Sequence, residues 1–126
     1  MLLQFDLDAH SDHAALFSYL RKTILSYEEI TEIKNAKQTT YKDSYSTVCM
    51  LRVRQGLVRL SFANGARLQK QFSELRGDSK IVKYLEFQTI EEVDNLTIKA
   101  MLEESLLLNI EKYELKRLKC NAKHSL

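Results

Sequence analysis

The sequence contains no proline and only three glycines, Gly56, Gly65 and Gly77. So few breakers leave no Gly- or Pro-rich linker to divide the chain, and each glycine reads as punctuation. Cysteine is scarce too. A bridge between Cys49, in an apolar alternating run, and Cys120, in a polar stretch, has no support in the pattern, so two reduced thiols are expected. No C-x-x-C spacing offers a metal site. No apolar run approaches the ~20 residues that span a bilayer, which gives no basis for membrane contact. The first residues carry Asp6 and Asp8 where a signal peptide carries basic groups, so a cytoplasmic location is expected. Charge of one sign is also short: 19 Lys and Arg face 17 Asp and Glu, a net +2. That balance supplies no case for nucleic acid as a partner.

What is present fits one globular domain. The 126 residues are 44% hydrophobic and 29% charged, enough to build a core without disulfides or metals. The expected division is a domain over residues 1–115 and a basic, fraying tail over residues 116–126, where Lys116, Arg117, Lys119 and Lys123 cluster.

Over residues 11–26, Leu16, Leu20 and Ile24 recur every fourth position, which predicts an amphipathic helix capped by Ser11 or Asp8. Residues 28–37 are polar, with room for another helical turn. Strand character begins near Gln38 and is strongest over residues 45–62. If the chain turns at Gln55-Gly56 in a loop of two or four residues, Val53 faces Val58, Leu51 faces Leu60 and Cys49 faces Phe62, all on one side. A three-residue loop would set Leu51 against Arg59 and mix charge into the core face. The even loop also places Arg52 opposite Arg59 on the other side, beside Arg54, Met50 and Ser61. Like charges across a ladder repel, so something must offset them.

Beyond Gly65, Leu68, Phe72 and Leu75 predict a short helix, and Gly77 a stop after it. Residues 81–87 read as a last strand with Ile81, Leu85 and Phe87 inward. Its other side shows Val82, Tyr84 and Glu86, and Glu86 is one candidate partner for the arginines. Thr89-Ile90-Glu91-Glu92 has the form of a capping box before a long helix with Ile98, Met101, Leu102, Leu106 and Ile110 as its stripe, widened by Leu107 and Leu108. The order predicts an α+β fold, with helices on one face of a mainly antiparallel sheet.

Three pieces resemble the YdhG-like domain family, a bacterial group of unknown function. They are Tyr41 followed by Val48-Cys49-Met50-Leu51; Leu60-Ser61-Phe62 running through Gly65 to Leu68; and Phe87 with Thr89-Ile90-Glu91-Glu92-Val93-Asp94. Where family members often have a Trp-Gly-Met-Pro-like stretch, this chain reads Asn-Ala-Lys-Gln-Thr-Thr from Asn35. Some members are described as frataxin-like iron chaperones, so the resemblance implies iron binding through surface carboxylates as the alternative function.

The candidate chemistry is modest. Asp6, Asp8, His10, Asp12 and His13 bring oxygen and nitrogen ligands together, with Asp8, Asp12 and His13 as the candidate metal ligands. The competing reading is a solvated helix start rich in acids. Glu91, Glu92, Asp94, Glu103 and Glu104 form a second acidic group, explained as readily by capping and a polar helix face. Arg52, Arg54 and Arg59 form a basic ribbon suited to phosphate, a carboxylate or nucleic-acid backbone, as a ligand or partner contact with Tyr41 nearby; an ordinary exposed sheet face is the alternative. Cys49 points inward and so is an inert thiol. The histidines, His10, His13 and His124, all lie near the termini. No nucleophile elbow or glycine-rich phosphate loop is present. The expectation is a non-enzymatic binding or interaction domain, with the arginine face as contact surface, in a homodimer or with another ligand, and no cofactor except iron on the alternative reading.

Overall fold

The structure is a computed structural model that describes residues 2–124, with side chains through residue 122. The element order is helix α1 (Gln4–Ala9), helix α2 (Ala14–Leu25), strands β1 (Thr31–Lys34), β2 (Thr39–Lys42), β3 (Thr47–Arg54) and β4 (Leu57–Phe62), helix α3 (Gly65–Leu68), strand β5 (Lys83–Phe87), a 3-10 turn (Ile90–Glu92) and helix α4 (Asn95–His124). Among the described residues the strands form one sheet in the order β1-β2-β3-β4-β5, and each neighbouring pair is antiparallel. The α+β class and the order of elements are those the sequence predicts.

The centre of the sheet is set by one turn. Gln55 has φ +52° and Gly56 has φ +78°. Two consecutive positive φ values are the mark of a type I′ turn, whose twist matches that of the flanking strands. The loop therefore has two residues. Arg54 pairs with Leu57, Val53 with Val58, Arg52 with Arg59, Leu51 with Leu60 and Cys49 with Phe62. Because side chains alternate, Cys49, Leu51, Val58, Leu60 and Phe62 all enter the core, and the arginines all leave it.

That core lies between the sheet and the helices. Leu16, Phe17, Leu20 and Ile24 of α2 and Ile98, Met101, Leu102 and Leu108 of α4 are buried against the sheet's inner side chains. Each such burial stabilises by about 1.5–3 kcal/mol relative to exposure. The inner face of α4 is not wholly apolar. Asn109 is buried and accepts a hydrogen bond from Asn64 Nδ2 at 2.8 Å, while its own amide donates to Asp43 Oδ2 at 3.1 Å. Asp43 also accepts from the Tyr45 and Ser46 amides, both at 2.8 Å, and Lys112 donates to Asn64. This network ties α4 to the open end of the β3–β4 hairpin, where β3 begins and β4 ends, and its partners answer the polar groups that burial would otherwise leave costly.

Several local expectations differ from the structure. Residues 28–37 hold strand β1, not a helical turn; it is a short, largely exposed edge strand, so little apolar alternation marks it. Helix α1 has six residues, too few to show periodicity. The short helix after Gly65 covers only Gly65–Leu68, yet Leu68 and Leu75 are buried as expected. Gly65 is required there, because a Cβ on it would lie 2.2 Å from the Lys83 backbone nitrogen. Strand β5 starts at Lys83, which leaves Ile81 64% exposed instead of inward. The Thr89–Glu92 capping box is formed, but it caps the 3-10 turn; Asp94 then caps α4 by accepting from the Thr97 amide. Ile110 and Leu107 are exposed, since Ser105 and Asn109 take the inner positions. Helix α4 continues to His124 instead of fraying past Tyr113. Of the basic tail, the Lys123 side chain and residues 125–126 lie outside the described residues.

The turn gives a direct test. Asn tolerates positive φ better than Gln, so Gln55→Asn should stabilise the fold by about 0.5 kcal/mol, and Gly56→Ala should cost about 1 kcal/mol. Urea denaturation measures both; equal midpoints for all three proteins would contradict the type I′ geometry.

Candidate contact face of the sheet

On the side of the sheet opposite the core, two cross-strand rows lie next to each other. One runs Ile33, Thr40, Met50, Ser61 and Tyr84; the next runs Arg52, Arg59 and Glu86. Arg54 extends the second group toward the hairpin turn. Met50, Arg52, Arg59, Ser61, Tyr84 and Glu86 are half-buried, whereas Cys49, Leu51, Val58, Leu60 and Phe62 on the inward side are sealed. The face is open to solvent.

Arg59 is fully occupied. Its Nε and Nη2 donate to Glu86 Oε2 at 3.0 and 2.8 Å, and its guanidinium lies 3.9 Å from the centre of the Tyr84 ring. An ion pair and a cation–π contact together hold the side chain flat across β4 and β5. Glu86 thus answers the repulsion between Arg52 and Arg59, as the alternation of β5 suggests. The same alternation puts Tyr84 on this face, and its ring is what the Arg59 guanidinium covers.

Arg52 is different. Its Nε is sealed from solvent and has no hydrogen-bond partner, and among the described residues neither Arg52 nor Arg54 forms an ion pair. A cavity of about 100 Å³ opens beside it, lined by Gln38, Met50, Arg52, Arg54, Arg59 and Ser61. The nearest compensating charge comes from α1. Asp8 is buried, accepts from Gln4 Nε2 at 2.7 Å through Oδ1, and leaves Oδ2 without a hydrogen bond. Burial pushes its pKa above the usual carboxylate range; the Gln4 amide, the Val53 backbone and the Arg52 charge pull it partly back. The Val53 amide points away from β4, because Arg54–Leu57 closes the turn as a hydrogen-bonded pair and the bonded positions alternate. Strand β2 ends its pairing at Leu51, so α1 occupies the edge of β3 beyond it. Asp8 lies there, near enough for the Arg52 charge to act on it.

Tyr41 does not belong to this face. It is wholly buried on the helix side, opposite Cys49, and its hydroxyl donates to Glu32 Oε2 at 2.9 Å. Arg21 of α2 donates twice to the same carboxylate, at 2.6 and 2.9 Å. Burial would raise the Glu32 pKa, but the bonds from Arg21 and Tyr41 outweigh it and hold the group ionised. Burial, reinforced by Glu32, pushes the Tyr41 hydroxyl in the opposite direction. This cluster fastens α2 to β1 and β2. Cys49 is sealed and its thiol pKa is raised by burial, as befits an inert thiol.

The metal candidates are not gathered. Asp8 is engaged with Gln4, Asp12 is exposed, and His13 lies in the bend between α1 and α2. Among the described residues no three His, Cys, Asp or Glu side chains form a group able to hold a metal ion. In the second acidic cluster, Glu92 caps the Gln88 and Thr89 amides and Asp94 caps Thr97. No described helix is long and apolar enough to cross a membrane. No protein-family model, curated protein or solved structure matches the chain. Function has to be inferred from the chain's own geometry.

The arginine pairing predicts a measurable coupling. Glu86→Gln should cost about 1 kcal/mol, a partly exposed ion pair being screened by solvent. In an Arg52→Gln background the loss should be smaller, because the repulsion that Glu86 offsets is gone. A double-mutant cycle by thermal or urea unfolding measures this, and strict additivity would contradict it.

Proposed function

We propose that this chain is a non-enzymatic interaction domain of the YdhG-like type, and that the open sheet face is its contact surface for an acidic protein segment. One observation carries the reading: three arginines share the face, Glu86 neutralises only Arg59, and among the described residues Arg52 and Arg54 have no ion pair. Unpaired guanidinium groups on a rigid ribbon are pre-organised to bind carboxylates, since their donors are already fixed in direction. Arginine is also enriched where partners bury their strongest contacts. The half-buried Met50 and Tyr84 give the surface apolar area beside the charge.

A fluorescently labelled oligoglutamate peptide tests this by anisotropy. The double variant Arg52→Glu and Arg54→Glu should weaken binding at least about tenfold, while Lys116→Glu with Lys119→Glu on the exposed helix end should leave it nearly unchanged. Circular dichroism confirms that each variant folds. Binding that survives the face variant but is lost with the helix-end variant would overturn the reading. Sedimentation equilibrium on the same proteins shows whether a second copy is the partner.

A further inference from the structure

Arg52 stands between two places that compete for it. On one side is the cavity, bordered also by Arg54, Arg59, Ser61 and Gln38. On the other is Asp8, whose free Oδ2 is buried and whose charge acts on Arg52. Neither competitor makes a hydrogen bond to Arg52 Nε. A sealed N–H donor without an acceptor is costly, and so is a sealed carboxylate oxygen without a donor. Both costs persist in one small region, next to a concavity with donors on several sides. An oxyanion would answer the arginine donors, whereas Asp8, an acceptor of the same sign, would compete with it.

We propose that the cavity beside Arg52 is a binding site for one oxyanion group, a carboxylate or a phosphate, and that Asp8 competes with this group for the Arg52 guanidinium. The inference rests on the open face being a contact surface, and names what its centre receives. The volume of about 100 Å³ admits a single carboxylate or tetrahedral oxyanion with little room for more. Arg52 lines the cavity, and its planar guanidinium is the donor group that matches two oxygens of such a ligand. Arg54 adds charge from the rim, and Ser61 and Gln38 supply neutral donors. Arg59 contributes less, because Glu86 and Tyr84 already hold it.

Asp8 makes the site sensitive to pH. The charged groups near it are few: Arg52 from β3 is the charge that acts on the carboxylate, and Gln4 and the Val53 backbone are its neutral partners. A carboxylate whose folded pKa is raised costs stability while ionised, and that cost disappears as pH falls through the folded value toward the ordinary range. Protonating Asp8 also releases Arg52 from a competing charge. Anion affinity should therefore rise as the solution is acidified. Glu86 is the other carboxylate next to the arginines, and it pairs with Arg59.

The test is an NMR titration of the full chain, following the Arg52 Nε–Hε signal. Sulfate, whose charge stays constant through the relevant pH range, stands in for a tetrahedral group, and acetate for a carboxylate. The expected result is a saturable shift of that signal with millimolar affinity for at least one of the two anions. Whichever binds more tightly identifies the group the site prefers. Arg52→Lys, which keeps the charge but loses the fork, should weaken binding about tenfold. Asp8→Asn should tighten it several-fold at neutral pH and flatten its pH dependence. Should Asp8→Asn fail to fold, the wild-type pH series alone must show tightening on acidification. An unsaturable shift with both anions overturns the site, as does equal affinity in Arg52→Lys. A pH dependence that survives intact in Asp8→Asn overturns the competition. If the acidic peptide still binds through the face while neither small anion does, the oxyanion site alone fails. Loss of the peptide result removes the contact-surface reading itself.

Discussion

The pairing of β3 with β4 through a two-residue turn is the constraint on which everything else depends. Shifting it by one residue would turn Leu51 and Leu60 out and bring Arg52 or Arg59 into the core, at a cost far above any single surface interaction. The turn fixes the count, Gly56 makes its backbone affordable, and the apolar alternation of both strands agrees with it. Helices α2 and α4 then have a flat apolar surface to cover, and the arginines have only the other side. The concentration of cationic groups on the open face is a consequence of the same register that builds the core.

The two faces handle charge differently. On the covered side, Glu32 is answered twice by Arg21 and once by Tyr41, and Asp43 is answered by Asn109 and two backbone amides. On the open side, the accounting stops at Glu86. Buried networks that are complete fix a unique packing, whereas incomplete ones mark places where a further group belongs. Asp8 and Arg52 are the incomplete pair, each with one atom lacking a partner. They belong to α1 and to the part of β3 that α1 covers beyond the end of β2, and Arg52 also lines the cavity on the open face.

Much of this was legible in the chain itself. Strict alternation on residues 49–53 and 58–62 with a glycine between them determines register, and extending the alternation to β5 points to Glu86. Tyr41 was harder. Which way β2 faces depends on the turn over residues 43–46 and on the irregularity between Tyr41 and Lys42, and no glycine marks either. Helix α1 is too short for periodicity, so the nearness of Asp8 to Arg52, far apart in sequence, had no signal. The stripe of α4 was misread at Ile110 because buried Ser105 and Asn109 interrupt it, and a polar residue held by partners looks like a surface residue in sequence.

The most direct measurement of this account is the set of Hα–Hα nuclear Overhauser contacts across the β3–β4 hairpin. With Arg54–Leu57 closing the turn, Val53–Val58, Leu51–Leu60 and Cys49–Phe62 are the non-hydrogen-bonded pairs, whose Cα atoms are only ~4.5 Å apart. Strong contacts between these three pairs are expected. Contacts that instead join Val53 to Leu57 or Leu51 to Arg59 would contradict the register, and with it the separation of core from arginine face.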